Sequence, residues 1–228
     1  MTTDTQSLKI EVEHAGAVSA LLLRPPQARA IYVFAHGAGA GMTHASMEVI
    51  AAGLAARGIA TLRYQFPYME KGSKRPDPPG VAHAAVRAAV AEAAQRCADL
   101  PLFAGGKSFG GRMTSQAQAI KPLAGVRGLV FLAFPLHPAG KPSSERATHL
   151  ADVQIPMLFL QGTRDALAEL KLLEPVLKEL GSLATLHLVK EADHSFHVLA
   201  RSGRNDREVM DEVLDAFAAW VDSIVRQA

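Results

Sequence analysis

Gly106-Lys107-Ser108-Phe109-Gly110 has the pattern G-x-S-x-G, in which a strand turns sharply into a helix and presents a serine at the turn. A serine hydroxyl is a poor nucleophile at neutral pH and needs a base within hydrogen-bond reach. A histidine can take its proton and later return it to a leaving group. A carboxylate holds the imidazole in one tautomer and stabilises the imidazolium. The chain supplies both further on, Asp165 after Gln161-Gly162-Thr163-Arg164 and His194 in Asp193-His194-Ser195-Phe196. His197 competes with His194, which is preferred because it lies nearer the end of its strand. Asp165 could also be a helix N-cap before Ala166-Leu167, a role in which a carboxylate satisfies free N–H groups. A tetrahedral intermediate needs donors for its oxyanion. The N–H of Phe109, next to the serine, is one, and the N–H of Ala38 in the glycine-rich stretch 36–41 is the expected second.

These residues must be positioned by the elements around them. Residues 8–12 alternate and residues 18–23 follow a turn at Gly16, which predicts an antiparallel lead-in pair of strands. Residues 30–35, Ala-Ile-Tyr-Val-Phe-Ala, are continuously apolar, as a strand buried on both faces requires. Further strands are expected at 59–64, 101–105, 128–133, 155–161 and 185–189, separated by helices at 47–57, 81–97, 111–120 and 167–180. A short helix is expected near 143–150, and residues 65–80 read as the longest irregular stretch. From Arg204 onward Val213, Leu214, Phe217, Trp220 and Val221 form the apolar stripe of a closing amphipathic helix. Strands and helices in alternation predict a mostly parallel eight-stranded sheet with helices on both faces. In such a sheet ligands gather at the carboxyl ends of the strands. Ser108, Asp165 and His194 each follow a strand there, and so do His36 and His137.

Composition narrows the class. The 228 residues suit one domain spanning 1–228, and 49% hydrophobic residues can fill its core. A net charge of +2 is nearly neutral for this size and argues little for nucleic acid as a partner. The single cysteine, Cys97, excludes an intrachain disulfide and reads as a packed small hydrophobe. No His/Cys/Asp cluster has metal-ligand spacing. Residues 1–7 are polar and lack a signal-peptide pattern, and no apolar run approaches a membrane span. The expectation is a soluble cytoplasmic protein acting on a small molecule without a cofactor.

With these residues in place, the chain resembles the α/β-hydrolases over nearly its whole length. It is most similar to their small lidless branch, related to testis-expressed protein and to a subunit of a nuclear acetyltransferase complex, with dienelactone hydrolases further off. The resemblance is carried by His36-Gly37-Ala38-Gly39, by Phe66-Pro67-Tyr68-Met69-Glu70-Lys71-Gly72 with Arg75-Pro76-Asp77-Pro78-Pro79, and by Gly105-Gly106-Lys107-Ser108-Phe109-Gly110-Gly111-Arg112. Phe134-Pro135-Leu136-His137-Pro138 and the stretches holding Asp165 and His194 complete it. It implies the α/β-hydrolase fold without a lid domain, with Ser108 as nucleophile, Asp165 as acid and His194 as base. Dienelactone hydrolases carry a cysteine nucleophile, and Ser108 departs from that pattern.

The expected activity is a serine hydrolase that cleaves an ester or thioester through an acyl-serine. A peptidase or amidase on the same three residues differs only in its leaving group. An interaction module that uses the basic group Lys71, Lys74 and Arg75 is the alternative of another class. Lys107, Arg112 and His36 are candidates for substrate contact. Lys107 either meets an anionic substrate or turns aside to a backbone carbonyl. Arg112 lies in the first turn of a helix, where a cation is unfavourable, which points to a carboxylate partner. His36 reads mainly as a residue that shapes the oxyanion loop.

Overall fold

The computed structural model describes residues 4–227; residues 1–3 of the polar lead and residue 228 lie outside them. The strands are β1 (Thr5–Val12), β2 (Gly16–Leu23), β3 (Ala30–Ala35), β4 (Ile59–Tyr64), β5 (Leu102–Lys107), β6 (Val126–Leu132), β7 (Met157–Gly162) and β8 (Ala184–Val189). They form one sheet in the order β1-β2-β4-β3-β5-β6-β7-β8. β1 pairs antiparallel with β2, and β2 antiparallel with β4. All the other pairings are parallel. β3, β4 and β7 are buried at every residue, which is why they lack the alternation of a half-wet strand; β3 is apolar throughout, while β4 also buries Thr61 and Arg63 and β7 buries Gln161.

The helices are α1 (Ala45–Ala56), α2 (Pro67–Glu70), α3 (Pro79–Arg96), α4 (Phe109–Ile120), α5 (Leu170–Leu180) and α6 (Asp206–Gln227). α1 and α6 cover one face, where Met47, Leu54, Val213 and Phe217 pack against Tyr32, Phe34 and Phe103. α3, α4 and α5 cover the other, where Val86, Met113 and Leu173 join Val33, Phe131 and Phe159 in a second core. Cys97 is buried in that second core. Among the described residues no helix is long and apolar enough to cross a membrane.

Three elements differ from the sequence reading. The stretch 65–80 contains α2, a single turn opened by Pro67, where a missing N–H costs nothing. Glu70 at its end takes Lys9 Nζ at 2.7 Å and the Ser19 N–H at 3.0 Å, so contacts to β1 and β2 hold the turn. The helix expected near 143–150 is a 3₁₀ helix at Glu145–Asp152. It is the only helix between β6 and β7, and no lid domain is inserted there. α5 starts at Leu170, three residues later than its periodicity suggests, because the chain first turns around Asp165.

Candidate active site

β5 ends at Lys107 and α4 begins at Phe109, so Ser108 alone makes the turn. Its backbone sits at φ 50°, ψ −115°, a region sparsely populated by residues with a side chain and found where function requires it. Two main-chain bonds hold it there: Ser108 N–H donates to Leu132 O at 3.0 Å, and Arg112 N–H donates to Ser108 O at 3.1 Å. The glycines permit the packing. A Cβ on Gly110 would lie 2.6 Å from the carbonyl oxygens of Ala35 and His36, and one on Gly106 would lie 2.8 Å from Ala35 Cβ.

The turn places Ser108 Oγ 2.8 Å from His194 Nε2. His194 Nδ1 lies 2.7 Å from Asp165 Oδ2. Because a carboxylate only accepts, Nδ1 carries the proton and Nε2 is free to receive one from Ser108. The Asp165 side chain is fully buried, and that of His194 is 24% exposed. Asp165 Oδ2 also accepts from Gln161 Nε2 at 2.5 Å, and Oδ1 accepts from the Leu167 N–H at 2.8 Å. That last bond spans two residues and makes a local turn, so Asp165 is not the cap of α5, whose N-cap position is Glu169. His197 points elsewhere. It pairs with Asp206 at 2.8 Å, and that carboxylate raises its pKa.

The oxyanion candidates also converge on the cleft. Phe109 is the first residue of α4, and its N–H belongs to the first turn that no helical carbonyl satisfies. Ala38 N–H donates to no protein acceptor among the described residues, while Ala38 O takes the Tyr68 hydroxyl at 2.7 Å. His36 takes the loop-shaping role read from the sequence and leaves the candidates for substrate contact. It is fully buried, its Nε2 accepts the Phe66 N–H at 3.0 Å, and its Nδ1 donates to Gly37 O at 2.7 Å. Burial pushes its pKa down to about 4 and keeps the ring neutral. It is therefore a clamp between the Ala38 loop and the end of β4, and does not face substrate.

Residues 28–222 match the family described as alpha/beta hydrolase domain. The chain belongs to the alpha/beta hydrolase family. Among solved structures this hydrolase is similar to a dienelactone hydrolase from Anabaena variabilis, 20% identical, with a TM-score of 0.77 over 95% of this chain and 96% of that one. It is similar also to a serine hydrolase without lid from Xanthomonas campestris, 19% identical, with a TM-score of 0.73 over 96% of each chain. A third is the esterase domain of a Rhodothermus marinus protein, 14% identical, with a TM-score of 0.68 over 95% of this chain and 97% of that one. At these identities the likeness is one of fold, and it bears out the lidless α/β-hydrolase architecture read from the sequence.

In this hydrolase Ser108 opens onto a cleft of about 400 Å³. Its walls include Ala38, Pro76, Phe109, Met113, Pro135 and Leu167, together with Asp77, Arg112 and Arg146. A hollow of about 720 Å³ beside Arg57 and Gly58 is roomier but holds none of the chemistry above. Lys107 does not reach the cleft, which corrects its place among the substrate contacts. Its ammonium donates to the backbone carbonyl of His194 at 3.0 Å and stands 5.3 Å over the Phe196 ring. Burial pushes its pKa down to about 8, against the pull of Asp165 and Asp193. Lys71, Lys74 and Arg75 are exposed, and their loop lends the cleft Pro76, Asp77 and Pro79 instead. Gln161 escaped the sequence reading. It is fully buried, and its Oε1 accepts the Phe134 N–H at 2.9 Å, which turns Nε2 toward Asp165. A lone glutamine ending an apolar strand was the signal available.

Proposed function

We propose that this protein is a serine hydrolase that cleaves a carboxylic ester or thioester of small to medium size. The supporting observation is the continuous chain Ser108 Oγ, His194 Nε2, His194 Nδ1, Asp165 Oδ2, with steps of 2.8 and 2.7 Å, at a backbone turn of positive φ. Ser108 Oγ attacks the substrate carbonyl carbon as its proton passes to His194 Nε2. The resulting oxyanion takes the N–H groups of Phe109 and Ala38. The intermediate collapses, the bond to the alcohol or thiol breaks, and His194 gives its proton to that leaving group. Water then attacks the acyl-serine with His194 as base, releasing the acid and restoring Ser108. Asp165, held by Gln161 and the Leu167 N–H, keeps the imidazole oriented through both halves. The open approach to Ser108, without a lid domain, supports a soluble substrate rather than one drawn from an oil interface.

A fluorophosphonate probe tests this directly. The intact protein should be labelled on Ser108, and Ser108→Ala should abolish labelling and lower turnover of 4-nitrophenyl esters by about a thousandfold or more. Equal labelling of both proteins would defeat the proposal.

A further inference from the structure

We infer that the cleft beside Ser108 binds an anionic group of the substrate, a carboxylate or a phosphate, between Arg112 and Arg146. The inference rests on the serine hydrolase reading for its substrate and on the arginines for its charge. Six arginines are wholly or partly buried. Arg57 and Arg204 are paired with carboxylates, and Arg63 and Arg87 donate to backbone carbonyls. Among the described residues the guanidinium groups of the other two, Arg112 and Arg146, donate to no acceptor, and both residues line the same cleft. Arg112 Nε is buried with no partner at all. A guanidinium taken from water without an acceptor is costly, and it lies in the first turn of α4, where the helix adds positive potential.

The surroundings favour a ligand over an internal partner. Asp77 is the one carboxylate on the cleft wall; its Oδ2 takes the Tyr68 N–H at 2.8 Å, and it pairs with neither arginine. The Phe109 ring packs against the Arg112 guanidinium at 5.8 Å and holds it in place. Burial and the Arg146 charge both lower the Arg112 pKa, as two cations facing one space should. The remaining wall is apolar, from Pro76, Pro79, Met113, Pro135 and Leu167. Arg112 follows Ser108 by four residues, about one helical turn or roughly 5.4 Å. A substrate that reaches both would carry its anion a short carbon chain away from the scissile carbonyl. Planar forked donors suit carboxylate and phosphate oxygens.

The experiment compares 4-nitrophenyl hydrogen glutarate with 4-nitrophenyl valerate, which differ in the terminal carboxylate. The intact protein should favour the charged ester in kcat/KM by about tenfold or more. Arg112→Gln and, on the 3₁₀ helix, Arg146→Gln should each cut that ratio by a similar factor, with circular dichroism checking the fold of each. Calorimetry on Ser108→Ala separates the anion site from the chemistry. Glutarate or inorganic phosphate should bind at millimolar concentration, and adding Arg112→Gln should abolish it. The better ligand of the two identifies the anion. Binding that depends on Arg112 with neither ester hydrolysed would sustain the anion site and defeat the hydrolase reading. A ratio unchanged in both arginine variants, or no binding of either anion, would overturn the inference.

Discussion

The Lys107 side chain leaves the cleft to its neighbours and grips the loop that carries His194. Its bond to the His194 carbonyl, 3.0 Å long, spans 87 positions of chain and ties β5 to the segment after β8. It touches no reacting atom in the proposed mechanism and acts by positioning. Small misplacements of a base from its nucleophile are costly, up to about a hundredfold for 1 Å. Lys107→Met keeps most of the stem that lies over Phe196 and removes the donor. It should lower kcat by about tenfold or more and leave KM nearly unchanged. Lys107→Arg, which restores a donor, should recover part of the loss, and steady-state kinetics on one neutral ester reads both. The residue types at the centre of the site were legible because the chemistry admits few: Ser108, Asp165 and His194 each follow a strand in sequence order. The rotamers of Lys107 and the two ring bonds of His36 were not legible, since both depend on partners brought in by folding.

At the scale of elements, α6 closes one face of the sheet through Val213, Phe217 and Trp220. Phe217 is fully buried and meets the Tyr32 ring edge-on at 4.9 Å, directly behind the strand that leads to Ala38. Phe217→Ala should cost about 3–5 kcal/mol of stability by leaving a cavity that the sheet cannot collapse to fill. Urea melts would measure it as a lower midpoint at an unchanged slope. The periodicity of α6 was readable because burial imposes an apolar stripe on one face, and the apolar run of β3 because burial reaches its every residue. α2 was not, because four residues carry no periodicity and its stability comes from Lys9 and Ser19 on two distant strands. The start of α5 was hidden for a related reason: Ala166 and Leu167 fit a helix, but the Leu167 N–H is taken by Asp165.

Taken as a molecule, the fold buries neutral imidazoles that an unfolded chain would expose. Burial pushes His36 and His149 down to about 4 from an ordinary value near 6.5. The unfolded chain therefore binds protons first as pH falls. Stability that is fully present above about pH 6.5 is lost progressively toward pH 4, by at most about 3 kcal/mol for each ring, and by less for the partly exposed His149. Urea midpoints taken at pH 7 and pH 4.5 should differ accordingly, and His149→Gln should narrow the gap. The sheet order, with β4 and β3 exchanged relative to the chain, places the Ala38 loop between the end of β4 and Ser108. Strand propensities carry no information on that exchange; it follows from the antiparallel pairing of β2 with β4, which a linear reading does not contain.

The contrast between the two histidines of the site has a consequence for chemical modification. Reagents that acylate neutral imidazole nitrogen, such as diethyl pyrocarbonate, need an accessible ring with a free lone pair. His36 offers neither, since its ring is fully buried and both nitrogens are occupied by main chain. His194 presents a side chain 24% exposed, with its unprotonated nitrogen turned toward a hydroxyl. Of the nine histidines in the chain, inactivation at neutral pH would then follow the loss of one, in a single exponential. A ligand seated over Ser108 would slow it.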